Sequence, residues 1–402
     1  MGGNVTQPTH HWRRNQTAVT TATFMGFMSF TLVMPFLPLY FEQLGVQSAR
    51  SVAIWSGLSL GVTPAVTAAM APVWARLAER YGRKMMVGRS LVSFMVIMGA
   101  LAFVRAPWQV FVLRAIQGFF AGYGPIALTM AAESAPPGQM AGAIGWVQTA
   151  QRLGPALGPV IGGTLAHSVG LRGAFLVSAA VYLAAFLLVL VGYRESDTRK
   201  EVSVTPPAKV TFADLRAVPH FLLFMGAVFG MQLADRSLGP ILPLYLREIG
   251  VASDSVAFLA GILFTITAGS AAIGNLSSRW LLTQRSEGVL VAIMAGIASI
   301  AALVFAAGPP VGVLLGAAAG FGLALGVATT SIYTVASQSV SAERRGGAFA
   351  YLTSAYLVGL AVSPVVAGFL GSVSMRAVFL ADAAGLALVA WLVKRGMVDA
   401  AR

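Results

Sequence analysis

Polar residues are so sparse along this chain that it reads as apolar blocks divided by short polar breaks. A helix needs about 20 apolar residues to cross a bilayer. Twelve blocks of that length fit, at approximately 19–41, 53–77, 86–104, 108–130, 142–166, 172–192, 219–245, 256–279, 288–307, 311–334, 347–370 and 376–394. The pattern is also written twice. Pro35 and Pro38, in MPFLPLYFEQLGV, recur as Pro240 and Pro243, in GPILPLYLREIGV, 205 positions on. Ser51-Val52-Ala53 returns as Ser255-Val256-Ala257, Gly57 as Gly261, and Pro159 with Gly163 as Pro364 with Gly368. Between the copies runs RESDTRKEVSVTPPAK, which is polar, contains proline and cannot span.

The expected organisation follows. A tail covers 1–18, a six-helix bundle 19–192, a linker 193–218, a second six-helix bundle 219–394 and a tail 395–402. The fold class is an all-α membrane protein of two pseudo-symmetric bundles, an internal repeat that transporters share.

Composition agrees: of 402 residues 57% are hydrophobic and 10% charged, with a mean hydropathy of +0.78. The net charge of +13 suggests nucleic acid at first sight, but the basic residues sort by side of the membrane. Arg76, Arg80, Arg83, Lys84, Arg194, Lys200, Arg279, Arg344 and Lys394 are among those on one side, against Arg50, Arg105, Arg172, Arg247 and Arg376 on the other. The positive-inside rule then puts both termini and the linker in the cytoplasm. There is no cysteine, so thiolate metal sites and thiol nucleophiles are excluded. His10, His11, His167 and His220 lie at ends or tails, and no metallopeptidase, hydrolase or phosphate-loop motif occurs. These features exclude a membrane enzyme and call for no cofactor or metal. Residues 1–18 lack the apolar core of a removable signal peptide.

The fifth block, GWVQTAQRLGPALGPVIGG, carries Gly145, Gly154, Gly158, Pro159, Gly162 and Gly163. Glycines four apart share one helix face and clear a strip for a neighbouring backbone, so this helix should be closely packed and, at Pro155 and Pro159, kinked. The run resembles the antiporter motif of drug:proton antiporters in the major facilitator superfamily. Ala75-Arg-Leu77-Ala-Glu79-Arg80-Tyr-Gly82-Arg83-Lys84 resembles the loop motif of that superfamily, with Ala75 for its first Gly and Glu79 for its Asp. An acid at a helix end among cations can act as a gating latch. Arg114-Ala-Ile-Gln117-Gly118 resembles the R-x-x-q-G motif associated with proton transfer in this branch.

The resemblance implies a secondary transporter working by alternating access, exporting amphipathic drugs against entering protons. Its expected partners are the lipid bilayer, a small-molecule substrate and protons, with no nucleic acid; the expected unit is a monomer in the inner membrane. Rival cargoes for the same fold are sugars, amino acids or lipids. The candidate proton-coupling residues are Asp235, the preferred carrier, and Arg114 with Gln117 of the R-x-x-q-G motif; the alternative for Asp235 is a permanent counter-ion of Arg152 or Arg236. Asp235 neighbours Arg236, yet adjacent helix positions diverge by about 100° and need not pair. Candidate cavity residues are Phe27, Phe30, Thr31, Gln148, Gln151, Arg152, Met231 and Arg236. Asp382 is expected to be a local hydrogen-bonded acid, and Glu133 an interfacial one. The sequence departs from many antiporters of this branch in having no acid from Thr17 to Tyr40 of its first helix.

Overall fold

A computed structural model of the chain describes residues 12–136, 139–194, 218, 220–284, 287–340 and 345–398. Most of the expected linker and the ends of both tails lie outside the described residues, as does the side chain of Glu79. The described residues form helices and their connections, with no strand among them.

Among the described residues twelve helical spans appear where twelve apolar blocks occur. They are α1 (Trp12–Val33, carried through a tight turn at Met34–Phe36 into Leu37–Gln43), α2 (Ala49–Tyr81), α3 (Arg83–Leu101) and α4 (Pro107–Phe120 and Tyr123–Ser134). There follow α5 (Met140–Ser168), α6 (Gly170–Gly192), α7 (Phe221–Glu248), α8 (Val256–Gln284) and α9 (Glu287–Ala307). The last are α10 (Val311–Gln338), α11 (Arg345–Gly371) and α12 (Met375–Val393). Eleven of the described spans are long and apolar enough to cross a membrane; α5 falls short because Gln148, Gln151, Arg152 and its glycines and prolines dilute its apolar content.

Two departures from the sequence pattern have local causes. First, α1 starts at Trp12, well before the apolar block, because its polar residues find partners on neighbouring helix ends. Asn15 Nδ2 donates to the Arg194 carbonyl at 2.9 Å while its Oδ1 accepts from the Arg194 amide at 2.9 Å, and Gln16 Nε2 donates to the Ala143 carbonyl at 2.9 Å. Second, α4 is broken at Ala121-Gly122, where Gly122 takes φ 116, a left-handed angle that favours glycine. The freed carbonyls are capped from the side: Trp74 Nε1 donates to Phe119 at 2.5 Å, and Ser90 Oγ and Arg89 Nη2 donate to Phe120 at 2.9 and 3.1 Å. The Arg89 guanidinium lies 3.3 Å over the Trp74 ring, holding both donors in place.

The helix pairings repeat as the sequence does. In the first copy α1 packs on α5 and α6, and α3 on α6; in the second α7 packs on α11 and α12, and α9 on α12. Apolar side chains gain little from leaving lipid for one another, so small residues and hydroxyls supply the contacts. A methyl group on Gly322 or Gly326 of α10 would overlap the carbonyls of Thr267 or Ala271 on α8. Ser29 of α1 and Ser178 of α6 join hydroxyl to hydroxyl at 2.7 Å.

Two compact units result. One comprises Met1–Met34 and Val66–Val202, the other Pro35–Ala65 and Ser203–Arg402. The division by packing thus groups the end of α1 and the first half of α2 with the C-terminal helices.

Candidate functional site

In the first unit, the charge of the R-x-x-q-G motif sits in a closed aromatic setting. Arg114 and Gln117 of α4 are buried, and Arg114 Nη1 donates to Gln117 Oε1. The Phe30 ring of α1 lies 5.2 Å from the Arg114 guanidinium and offers its electron-rich face. Tyr123 and Tyr182 flank the same region, each ring set edge-on against Phe94 at 6.2 and 5.4 Å, and Phe27 packs 5.4 Å from Tyr123. The hydroxyls of both tyrosines and the Gln117 amide nitrogen are buried without a hydrogen-bond partner, which suits a site that holds water.

The glycine face of α5 is used as its spacing predicts. A methyl group on Gly154 would stand 2.8 Å from the Phe24 carbonyl and the Met28 amide, one on Gly158 would press on Thr31 and the Met28 carbonyl, and one on Gly162 would overlap the Leu32 carbonyl. So α1 and α5 touch backbone to backbone along this strip. Gly145, at the head of the motif, meets nothing within 4 Å. Pro159 and Gly163 share the buried end of the strip. Of the polar side chains before it, Gln151 donates to the Gly124 carbonyl at 3.1 Å beside the α4 break, whereas Gln148 and Arg152 are exposed.

At the α2–α3 connection, Gly82 adopts φ 91 and lets the two helices meet in a sharp bend. Leu77 is half-buried, and Arg80 is exposed with its guanidinium 5.3 Å over the Tyr81 ring. Arg83 pairs with Glu133 at the end of α4, and Lys84 Nζ donates to the Leu190 and Tyr193 carbonyls at 2.8 and 2.6 Å, closing the last turn of α6. The carboxylate met by Arg83 is thus one that sequence reasoning assigned only to an interface.

In the second unit, Asp235 and Arg236 of α7 do pair, Arg236 Nε donating to Asp235 Oδ2 at 3.0 Å. Spacing alone left this contact open; long side chains bridge the angle between adjacent positions. Met231 is buried one turn earlier, its sulfur 3.8 Å from the Thr329 hydroxyl of α10. Asp382 Oδ2 of α12 and the Ser237 hydroxyl oxygen lie 2.5 Å apart, within hydrogen-bond distance.

The second unit also holds a pair that sequence reasoning missed. Arg247 Nη1 donates to Glu42 Oε2 at 2.5 Å, joining the ends of α1 and α7. Beside it α2 lies on α11, where methyl groups on Gly57 or Gly61 would overlap the carbonyls of Pro364 or Ala361. The signal was present in the aligned repeat: YFEQLGV and YLREIGV place Glu42 opposite Arg247.

Twelve helical spans among the described residues, in two sequence copies, with arginines and acids held inside spanning segments and glycine strips between them, define a polytopic membrane transporter. The Major Facilitator Superfamily description matches residues 19–321, and the chain belongs to that superfamily. It is an integral membrane transporter and not an enzyme. Over 377 residues it is 33% identical to the multidrug resistance protein MdtG of Citrobacter koseri, covering 92% of this chain and 91% of that one. A relative of the same name from Enterobacter lignolyticus is 32% identical over 381 residues, 93% of this chain and 90% of the relative. The fold matches a D-xylose-proton symporter with a TM-score of 0.76 at 13% identity, over 96% of this chain and 98% of that one. It also matches a bacterial homologue of the human lysosomal transporter Spinster, with a TM-score of 0.73 at 17% identity, over 96% and 97% of the two chains.

Proposed function

We propose that the protein exports lipophilic or amphipathic small molecules, drugs among them, by alternating access coupled to proton entry. It works as a monomer in the inner membrane with both termini and the central linker in the cytoplasm. The observation that carries this reading is the likeness to multidrug resistance proteins across nine tenths or more of both chains. The charge asymmetry of the connections supports the orientation.

Proton coupling rests on the Asp235–Arg236 pair. Its side chains are 30% and 44% exposed, and in this reading solvent and cargo reach them from the central cavity. Protonating Asp235 removes the charge that offsets Arg236, and the guanidinium, still hydrogen-bonded to Tyr356, then repels a cationic cargo from that part of α7. Deprotonation restores the pair and lets cargo bind again. Arg114 and Gln117, locked against Phe30, supply a fixed positive field in the other unit.

The test is efflux of a panel of cationic and neutral dyes from vesicles containing the protein, with and without an imposed proton gradient. The wild type accelerates efflux when the gradient is present. Asp235→Asn retains downhill dye movement and loses its gradient dependence. Vesicles in which no dye responds to the gradient remove the exporter reading, and a fully gradient-driven Asp235→Asn variant removes the carrier role of Asp235.

A further inference from the structure

A cavity of about 110 Å³ lies among α7, α11 and α12, bounded in part by Ala234, Ser237, Ser363, Val366, Asp382 and Gly385. A water needs roughly 10–15 Å³ of such space, so there is room for several waters or a small head group. The wall is apolar apart from two hydroxyls and Asp382, its one ionisable side chain. Val366, Ala381 and Gly385 at its border are exposed, which sets the mouth between α11 and α12. A methyl group on Gly385 would meet nothing within 4 Å. In a spanning helix bundle such a mouth opens to lipid.

The hydrogen-bond arithmetic around Asp382 fixes its charge when the cavity holds no cation. Ser237 Oγ lies 2.5 Å from Asp382 Oδ2 and 2.9 Å from the Ala234 carbonyl. A hydroxyl has one hydrogen, and a carbonyl only accepts. If Asp382 is neutral, both contacts are hydrogen bonds: the acid donates to Ser237, and Ser237 donates to Ala234. If it is ionised, one contact sets acceptor against acceptor. The second hydroxyl, Ser363, donates to the Leu233 carbonyl at 2.5 Å and has no hydrogen left for Asp382.

No nearby cation relieves a carboxylate there. On α7, Asp235 and Arg236 pair with each other and line no part of the cavity. On α9 and α11 the sequence has no charged residue after Glu287 and Arg345, and α9 meets α12 through Ser299, whose hydroxyl donates to the Ala383 carbonyl at 2.8 Å. On α12 itself, Arg376 near the helix start leans toward Glu248 at 3.9 Å, and Lys394 and Arg395 follow its far end. An isolated carboxylate against apolar walls is costly, so the empty site holds the acid form.

We propose that Asp382 and Ser237 form a proton-exchange site that takes the positively charged group of a membrane-dissolved amphiphile, such as a quaternary ammonium, in place of the proton. The inference rests on the exporter reading for its biological sense. When the cation enters, the Asp382 O–H bond breaks, its electron pair stays on the carboxylate, and one proton leaves to bulk water. The net charge of the site is unchanged, so the exchange carries no Born penalty for an unpaired charge. Ser237 then turns its hydrogen to the carboxylate, and the cation offsets the bond withdrawn from Ala234.

The test uses the purified full-length protein in lipid nanodiscs, in weakly buffered solution with a pH indicator. Dodecyltrimethylammonium below its micellar concentration is the probe, and dodecanol the neutral control. The wild type releases about one proton per chain on adding the ammonium and none with dodecanol. Asp382→Asn releases none, Asp382→Glu restores the release, and Gly385→Leu, which fills the mouth, suppresses it with the acid still present. Restoration by Glu separates loss of the carboxyl from loss of folding. Equal release by Asp382→Asn, release by dodecanol, or none from the wild type overturns the site. No gradient is present, so a failure here leaves gradient-driven dye efflux standing, and failed efflux leaves this exchange standing.

Discussion

Glu42 and Arg247 occupy the same place in the two sequence repeats, 205 positions apart, and their side chains meet at 2.5 Å. A duplicated element that met its copy with the same residue would set like charge against like. Divergence to Glu in one copy and Arg in the other turns that meeting into attraction. Both side chains are about one third exposed, at 27% and 36%, so the pair contributes roughly 0.2–1 kcal/mol. Glu42→Arg should therefore destabilise the junction of α1 and α7 by about 1 kcal/mol or more, replacing attraction by repulsion. Combining Glu42→Arg with Arg247→Glu should recover most of the loss. Thermal unfolding in detergent measures both, and a swapped variant no better than the single one would remove the pair as the cause.

Along α5, the glycines differ in what they face. Gly158 and Gly162 lie against the α1 backbone, while Gly145 meets nothing within 4 Å. Gly162→Ala should cost about 1–3 kcal/mol through overpacking, and Gly158→Val at least as much. Gly145→Ala should be neutral or slightly stabilising, since alanine is the better helix former. Melting curves of the three variants decide it. A Gly162→Ala variant as stable as Gly145→Ala would show that the α1–α5 approach is looser than described.

Arg114 is buried, hydrogen-bonded to Gln117 and covered by Phe30. Arg114→Lys keeps the charge but loses the planar fork that reaches Gln117 and the flat face that stacks on the ring. It should abolish dye efflux and destabilise the first unit by about 1–3 kcal/mol, the cost of leaving buried groups unsatisfied. Tyr182→Phe should behave oppositely. Its hydroxyl is buried without a hydrogen-bond partner, so removal should cost less than about 1 kcal/mol. Efflux assays and melting of the two purified variants separate the roles.

These residues also show how far the sequence could be read. The twelve spans and the repeat were legible because lipid tolerates few polar residues and a spanning helix has a minimum length. The glycine strip of α5 was legible because a period of four marks one helix face, and its neighbour α1 indeed lies against that face. The break in α4 had a signal in Gly122-Tyr-Gly124-Pro125, but the capping by Trp74 and Arg89 that stabilises it depends on tertiary contacts. The early start of α1 was hidden for the same reason: Asn15 and Gln16 are helical because the ends of α6 and α5 receive their side chains. Asp382 looked like an ordinary hydrogen-bonded acid, and it does share a hydrogen bond with Ser237. The surrounding cavity belongs to three helices far apart in sequence, which no local pattern records.

The pairing of Arg83 with Glu133 carries a last prediction about the loop motif. Arg83 opens α3 and Glu133 lies in the last turn of α4, so this contact ties the motif to the end of another helix in the same unit. Their side chains are 26% and 29% exposed, which reduces screening relative to a fully solvated pair. If the motif acts through Arg83 as a cation free in solution, Glu133→Gln should have no effect on transport. If it acts through the pair, Glu133→Gln should slow efflux as much as Arg83→Gln, and the double variant should be no slower than either. That non-additivity is the mark of two groups working as one. Lys84 provides the contrast, because it caps the Leu190 and Tyr193 carbonyls rather than an acid. Lys84→Gln should weaken the end of α6 and add to the effect of Glu133→Gln. Initial efflux rates for the three single variants and the two doubles, at matched protein levels, measure the coupling directly.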